Sequence, residues 1–392
     1  MDKKIRLGII GVGNMGSGHA NNIVQGFCPD FVLTAVADTN PARLAWTTEN
    51  CGKDVQCFDN AVAMLDSGTI DACIVAVPHY DHALYAIECM KRGIHVMVEK
   101  PAGVYTKQVE EMNREAEKHP DVVFGMMFNQ RTNCIYRKMR ELVQSGKYGN
   151  IRRVNWIITD WYRPQAYYDS GDWRATWSGE GGGVLLNQCP HQLDLLQWIC
   201  GMPAKVQAHL HFGKWHDIEV EDDVTAYMEY PNGATGVFIT TTGDACGTNR
   251  FEIQMDGAKI VANGTNELWI NEFEMDEPTF SKTNTTPFAA PKSVCKQVET
   301  DGENEQHKAV LRAWGGAILR GEPLVAHGSE GINGLTLSNA MHLSAFLGEA
   351  VELPFDGDVY YTALMKRVAT SRRKENVKAV FADTRDTYAG TK

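Results

Sequence analysis

The stretch Ile5-Arg6-Leu7-Gly8-Ile9-Ile10-Gly11-Val12-Gly13-Asn14-Met15-Gly16 decides the fold. Its first six residues form a short apolar run rich in β-branched side chains and read as a buried strand. A G-x-G-x-x-G follows directly, and a helix-period segment follows that. In this context the glycines let the turn close, let backbone amides approach a pyrophosphate, and let the helix pack on the strand. A second strand, 31–37, ends at Asp38, about twenty residues on, where the dinucleotide fingerprint expects an acid. A carboxylate there accepts bonds from the adenosine ribose and repels a 2′-phosphate, so the cofactor expected is NAD rather than NADP. Arg43 is near enough in sequence to reach a phosphate, but it reads as a solvated helix residue.

Outward from this stretch the βα alternation continues. Strands are expected at 71–77, 95–98 and 122–126, with helices from about 82 to 91 and 107 to 118. In open parallel sheets ligands sit at the carboxyl ends of the strands. Asp38, Val77-Pro78, Glu99-Lys100 and Asn129 all fall at such ends, and His82 opens the helix beside them. Together with Gly11, Gly13, Asn14, Met15 and Gly16 they outline a cofactor crevice.

Beyond Asn129 the pattern changes. A helix over 133–145 precedes runs of period two at 152–159, 204–211, 224–230, 236–242, 250–255, 258–262 and 267–270. Such alternation predicts an antiparallel sheet with one covered face. His209 and His211 share a face of one strand, but no third ligand stands at suggestive spacing, so no metal is expected. Residues 284–298 read as a long loop, 305–320 and 331–347 as helices, and the polar tail 372–392 as loosely held. The fold expected is α/β, with two parts. Residues 1–127 form a Rossmann domain with a doubly wound parallel sheet. Residues 128–392 form an α+β domain with a large, open, mostly antiparallel sheet, and a C-terminal segment packs back on the first domain.

The 392 residues, 43% hydrophobic, suffice for two cores. A formal charge of −11 argues against nucleic acid or anionic membrane as partner and leaves small polar substrates open. No apolar run approaches a membrane span. The amino terminus has no small-residue cleavage site and does not read as a secretory leader. Ten scattered cysteines without a C-x-x-C pair fit free thiols in a reducing cytoplasm.

The chemistry is expected in Gly181-Gly182-Gly183-Val184-Leu185-Leu186-Asn187-Gln188-Cys189-Pro190-His191-Gln192-Leu193-Asp194. The three glycines would let ligand and backbone approach closely. The apolar residues after them recur at helical spacing up to Gly201, so Asn187, His191 and Asp194 would project from one side of a helix. Pro190 would kink that helix beside His191. Polar groups on an apolar helix are costly to bury without purpose.

The arrangement resembles the Gfo/Idh/MocA oxidoreductases over nearly the whole chain. The marks are Gly11 to Gly16, Pro78 with His82, Glu99-Lys100-Pro101, Asn129 with Arg131, Asp172-Trp173-Arg174, and Gly181-Gly182-Gly183 leading to His191 and Asp194. The resemblance implies that Lys100 and His191 form a catalytic pair beside a nicotinamide, and that the subunits form a homodimer or homotetramer through the sheet. Many members carry aspartate where this chain has Asn187, and asparagine neither acts as a base nor raises a histidine pKa by charge. On this reading His191 accepts a hydroxyl proton, Lys100 steadies the oxygen, Asn187 fixes the substrate hydroxyl, and Asp194 holds the far imidazole nitrogen. Arg131, Trp161, Tyr162, Arg163, Asp172, Trp173 and Arg174 supply stacking surfaces and hydrogen bonds for a sugar. The reaction expected is hydride transfer between NAD and a secondary ring hydroxyl, with C3 of a hexoside favoured. The alternatives are an NAD-retaining glycosidase that oxidises C3 transiently, and a non-catalytic sugar sensor.

Overall fold

The structure, a computed structural model, describes residues 4–374 and 377. Most of the polar tail therefore lies outside the described residues.

The first half alternates as the pattern predicts. It runs β1 (Ile5–Ile10), α1 (Asn14–Val24), β2 (Phe31–Ala37), α2 (Pro41–Cys51), β3 (Gln56–Phe58), α3 (Ala61–Asp66), β4 (Ala72–Val75), α4 (His82–Lys91), β5 (His95–Val98), α5 (Thr106–Lys118) and β6 (Phe124–Met126). The strands pair in parallel in the order β3-β2-β1-β4-β5-β6. The order reverses between β1 and β4, which opens a crevice at their carboxyl ends. β4 is buried along its whole length, as a central strand covered on both faces must be. α2 starts where it does because the Asn40 side chain accepts from Ala42 N and Pro41 follows in the first turn.

The second half runs α6 (Cys134–Gln144), β7 (Ile151–Ile158), α7 (Gln165–Tyr168), α8 (Pro190–Cys200), β8 (Lys205–Phe212), β9 (Glu221–Glu229), β10 (Thr235–Thr241), β11 (Asn249–Met255), β12 (Ala258–Asn263), β13 (Glu267–Phe273), α9 (Glu277–Thr283) and β14 (Ser293–Gln297). It closes with α10 (His307–Arg320), α11 (Gly331–Leu347), β15 (Val351–Glu352) and α12 (Gly357–Val368). Nine strands form one sheet in the order β14-β13-β12-β11-β7-β10-β9-β8-β15. The sheet is mixed, because β10 joins β7 in parallel while its other pairings are antiparallel. Trp156 anchors its covered face, stacked on Phe251 at 4.1 Å and edge-on to Phe238 at 6.2 Å. On the other face Ile157 and Tyr227 are exposed.

Two expectations need correction here. The segment read as a loop over 284–298 contains the edge strand β14, all of whose residues are exposed. A strand without a buried face shows no alternation to read. The proline expected to kink a helix is instead the first residue of α8, where its missing N–H costs nothing.

α10 lies on the parallel sheet. Trp314 is fully buried, stacks on Phe31 at 5.2 Å, and donates from Nε1 to Val123 O at 3.2 Å. α11 packs against α8, α5 and β8, wedging between the two halves. A hydrogen bond from Lys100 Nζ to Asn187 O ties the loop before α8 to the end of β5.

Candidate active site

The glycine loop after β1 divides into three roles. Gly11 has φ +86°, and a side chain there would meet Ala76 O at 2.5 Å. At Gly16 an added Cβ would lie 1.9 Å from Gly11 O. At Gly13 it would meet nothing within 4 Å. Two glycines close the turn and the third leaves its backbone open, which fits a pyrophosphate against the amino end of α1. Asn14 and Met15 begin that helix and are half-buried. Asp38 stands at the end of β2, taking Val12 N on Oδ2 at 2.7 Å and Asn40 N on Oδ1 at 2.8 Å. Each carboxylate oxygen has a second lone pair, so ribose hydroxyls remain acceptable. Arg43 corrects an expectation. It is buried rather than solvated, with Nη2 on Gly13 O at 3.3 Å, Nε bonded to Val12 O, and its guanidinium over Trp46. It therefore braces the glycine loop from behind.

Along the crevice, Val77 and Pro78 are accessible. His82 is buried, its ring nitrogens 2.6 Å from Pro101 O and 2.8 Å from Val77 O, so it ties the ends of β4 and β5 together. Asn129 is buried and donates to Gln306 Oε1 at 2.6 Å. Glu99 pairs with His19 Nε2 at 2.6 Å; burial pushes its carboxyl up, but that hydrogen bond and the nearby His307 and Lys100 outweigh burial and bring it to about 2.

Lys100 is not a surface lysine paired with Glu99. Its Nζ donates to the backbone carbonyl of Asn187 at 3.0 Å, across the gap between the two halves. Burial lowers its pKa, while Glu99 and Glu180 oppose that shift. His191, in the first turn of α8, is 1% exposed and sits edge-on to Phe128. Burial, and then the charge of Lys100, hold its pKa well below the ordinary value, so the imidazole is neutral at pH 7.

The other expectations for this stretch change in four places. Asn187 precedes the helix, and its Nδ2 donates to Glu180 Oε1. Asp194 does not orient His191. It takes Arg131 in a two-pronged pair at 2.7 and 2.8 Å, both side chains buried. Arg131 spends its remaining fork on Glu330 at 2.7 Å and does not line the cleft. The three glycines serve packing rather than ligand approach. A side chain at Gly181 would meet Val104 Cγ1 at 2.3 Å, at Gly182 Leu186 Cβ at 3.0 Å, and at Gly183 Glu221 O at 1.9 Å.

The cleft wall after β7 carries the remaining candidates. Trp161, Arg163, Trp173 and Arg174 are half-buried, whereas Tyr162 and Asp172 are exposed. Asp172 lies 3.6 Å from Arg373. Two residues of this region escaped the sequence reading. Glu180 is 2% exposed, accepts from Ala175 N at 2.6 Å as well as from Asn187, and burial pushes its pKa up. Tyr167 Oη accepts from Arg174 Nη1 at 2.8 Å and Gln188 Nε2 at 3.1 Å. Glu180 directly precedes the triple glycine, which was a usable signal; nothing in sequence marked Tyr167.

No helix among the described residues is long and apolar enough to cross a membrane, and no group of three or more His, Cys, Asp or Glu among them is placed to hold a metal ion.

Comparison with known proteins now bears on this arrangement. Residues 5–126 match the oxidoreductase family model with an NAD-binding Rossmann fold, and residues 136–261 match the GFO/IDH/MocA C-terminal domain. The myo-inositol 2-dehydrogenase of Thermotoga maritima is 25% identical over 274 residues, covering 68% of this chain and 77% of that protein. The D-glucoside 3-dehydrogenase of Escherichia coli is 29% identical over 252 residues, covering 58% and 68%. Among solved structures, the WlbA dehydrogenase of Chromobacterium violaceum, in complex with NADH and UDP-GlcNAcA, superposes with a TM-score of 0.78 at 28% identity over 91% of this chain and 98% of that one. Levoglucosan dehydrogenase bound to NADH and levoglucosan shares the fold at 20% identity and TM-score 0.75, over 90% and 100% of the two chains. With both halves matched and the backbone of Gly13 open at the dinucleotide loop, this chain belongs to the GFO/IDH/MocA oxidoreductase family and is an NAD-dependent dehydrogenase.

Proposed function

We propose reversible hydride transfer involving a secondary ring hydroxyl of a sugar, glycoside or polyol, with C3 of a hexoside favoured. The observation that carries this is a half-buried ammonium, Lys100, at the carboxyl end of β5, whose charge reaches the buried, neutral imidazole of His191. NAD, when bound, supplies the hydride acceptor. The imidazole of His191 takes the proton of the substrate hydroxyl as the C–H bond breaks. Lys100 Nζ donates to the same oxygen and stabilises its developing charge. Its bond to the Asn187 carbonyl fixes where that ammonium points. Asn187, tethered through its amide to Glu180, keeps its side-chain oxygen for the substrate. The names of the inositol and glucoside dehydrogenases support the substrate class, and the latter supports C3. The outer face of the nine-stranded sheet, with Ile157 and Tyr227 exposed, is the surface proposed for a homodimer or homotetramer.

The test is NADH absorbance on mixing the protein with excess NAD and a panel of hexoses, polyols and glycosides. A signal well beyond one equivalent per subunit supports an exchanging dehydrogenase. A signal that stops at one equivalent while aglycone is released favours the NAD-retaining glycosidase. Lys100→Ala and His191→Ala should each cut turnover by about 10²–10⁴-fold with NAD affinity kept. Near-normal rates in either variant would remove the acid–base assignment.

A further inference from the structure

The cleft wall holds more positive charge than proton and hydride transfer require. Arg163 and Arg174 both stack on Tyr167, with guanidinium carbons 5.2 and 4.5 Å from its ring centre, and extend over Trp161 and Trp173. Each guanidinium also works against the charge on Lys100, which places three cations in one field with two carboxylates, Glu99 and Glu180, opposing them. The chain as a whole is strongly acidic at −11, so this local excess runs against the average.

The hydrogen-bond accounts of the three side chains are incomplete. Arg163 spends one Nη1 hydrogen on the carbonyl of Tyr162, and its other donors meet no acceptor among the described residues. Arg174 Nη1 serves Tyr167 Oη, but its Nε is buried without a partner. Tyr167 Oη receives two donors, which fill its lone pairs, so its own proton needs an acceptor that no described residue provides. A buried donor left unmade is costly, and Arg174 Nε, beside the half-buried spare donors of Arg163 and Tyr167 on the same wall, calls for an acceptor-rich group. Glu180 does not fill that need. Its nearer oxygen stands 3.7 Å from Arg174 and is engaged by Asn187, while the other takes Ala175 N.

We propose that the substrate is an anionic sugar, whose carboxylate or phosphate is bound by Arg163, Arg174 and the Tyr167 hydroxyl while a ring hydroxyl lies between Lys100 and His191. This rests on the oxidoreductase reading above and narrows its substrate class. Guanidinium forks match the flat, bidentate geometry of a carboxylate and also serve phosphate, so both anions belong in the test.

The experiment is calorimetric binding of glucuronate, glucose 6-phosphate and glucose to the protein saturated with NADH, with NADH formation from each followed separately in excess NAD. At least one acid should bind about tenfold or more tightly than glucose. That advantage should shrink as salt is raised and vanish in Arg163→Gln, with NADH affinity of the variant as the check on folding. Glucuronate ahead of glucose 6-phosphate assigns a carboxylate, and the reverse order a phosphate. Glucose binding as tightly as both acids, or no binding of any of the three, overturns the proposal. So does an acid advantage that survives Arg163→Gln, or a loss of NADH affinity that shows the arginine serving the cofactor. Preferential acid binding with no NADH from any sugar would keep the anion site and sink the dehydrogenase reading. Turnover without acid preference would do the opposite.

Discussion

The molecule contains two glycine-rich loops, and they use glycine for opposite ends. In the loop after β1, Gly13 faces open space, with Gly11 and Gly16 packed tightly around it. In the loop before α8, all three glycines are filled in by neighbouring protein, Gly183 most of all. Each loop is pinned by a carboxylate through its backbone amides. Asp38 takes Val12 N, and Glu221 takes Gly183 N and Leu185 N. Asp38 is half-buried at the crevice, whereas Glu221 is wholly buried and also paired with His342 at 2.8 Å. One loop leaves its backbone open, and the other is packed shut against the protein's own atoms.

The sharpest way to break this contrast is to add one methyl group to each loop. Gly183→Ala puts a carbon into the backbone carbonyl of Glu221, where no side chain can swing aside. It should cost on the order of 4 kcal/mol and take turnover with it, read as a large fall in Tm. An unchanged Tm would mean the loop is not packed shut. Gly13→Ala should leave Tm in place and weaken NADH binding by about tenfold, seen by fluorescence titration. Equal NADH affinity in that variant would mean the open space is not where the cofactor lies.

How much of this was legible in the sequence follows from the range of the interactions. The parallel half was readable because its strands, glycines and acid are local signals, and Asp38 stands where the spacing puts it. The parallel pairing of β10 with β7 was not, since it joins segments some eighty residues apart. The same holds for side chains. Arg131 looked like a substrate ligand until its partners Asp194 and Glu330, 63 and 199 positions away, were seen. A glycine reads the same whether its missing side chain makes room for a ligand or for the protein's own backbone. That is why the packing of the second loop could not be read from its glycines alone.

A smaller effect is expected at the seam between the closed loop and the chemistry. His191 is neutral from pH 8 down through its ordinary value of 6.5, because burial and Lys100 lower its pKa, so the wild-type oxidation rate should not lose its base in that interval. Lys100, lowered from 10.5, sets an alkaline limb below that pH. Asn187→Asp would face a second carboxylate, Glu180, across a hydrogen bond. Two carboxylates in contact cannot both ionise freely, so they share a proton and one titrates upward. The variant should show a new inflection of kcat/KM between about pH 5 and 8. A profile identical to the wild type would show that residue 187 does not sense the reacting proton, and that the closed loop only supports.

The least disruptive change is at the open loop's carboxylate. Asp38→Asn keeps an oxygen for either Val12 N or Asn40 N but not the charge, so the loop should hold its shape and Tm should move little. What changes is the field at the ribose. The carboxylate repels a 2′-phosphate, and the amide does not. The preference for NAD over NADP in kcat/KM should therefore narrow by about tenfold, chiefly through a better KM for NADP. Arg43 sharpens the expectation, because its guanidinium braces Val12 and Gly13 from behind and stacks on Trp46. Committed there, it is not free to swing out and capture the phosphate, so the variant should approach parity rather than invert its preference. An inverted preference would mean that Arg43 leaves the loop when the acid is gone. The open loop would then owe its shape to Asp38 as strictly as the closed one does to Glu221.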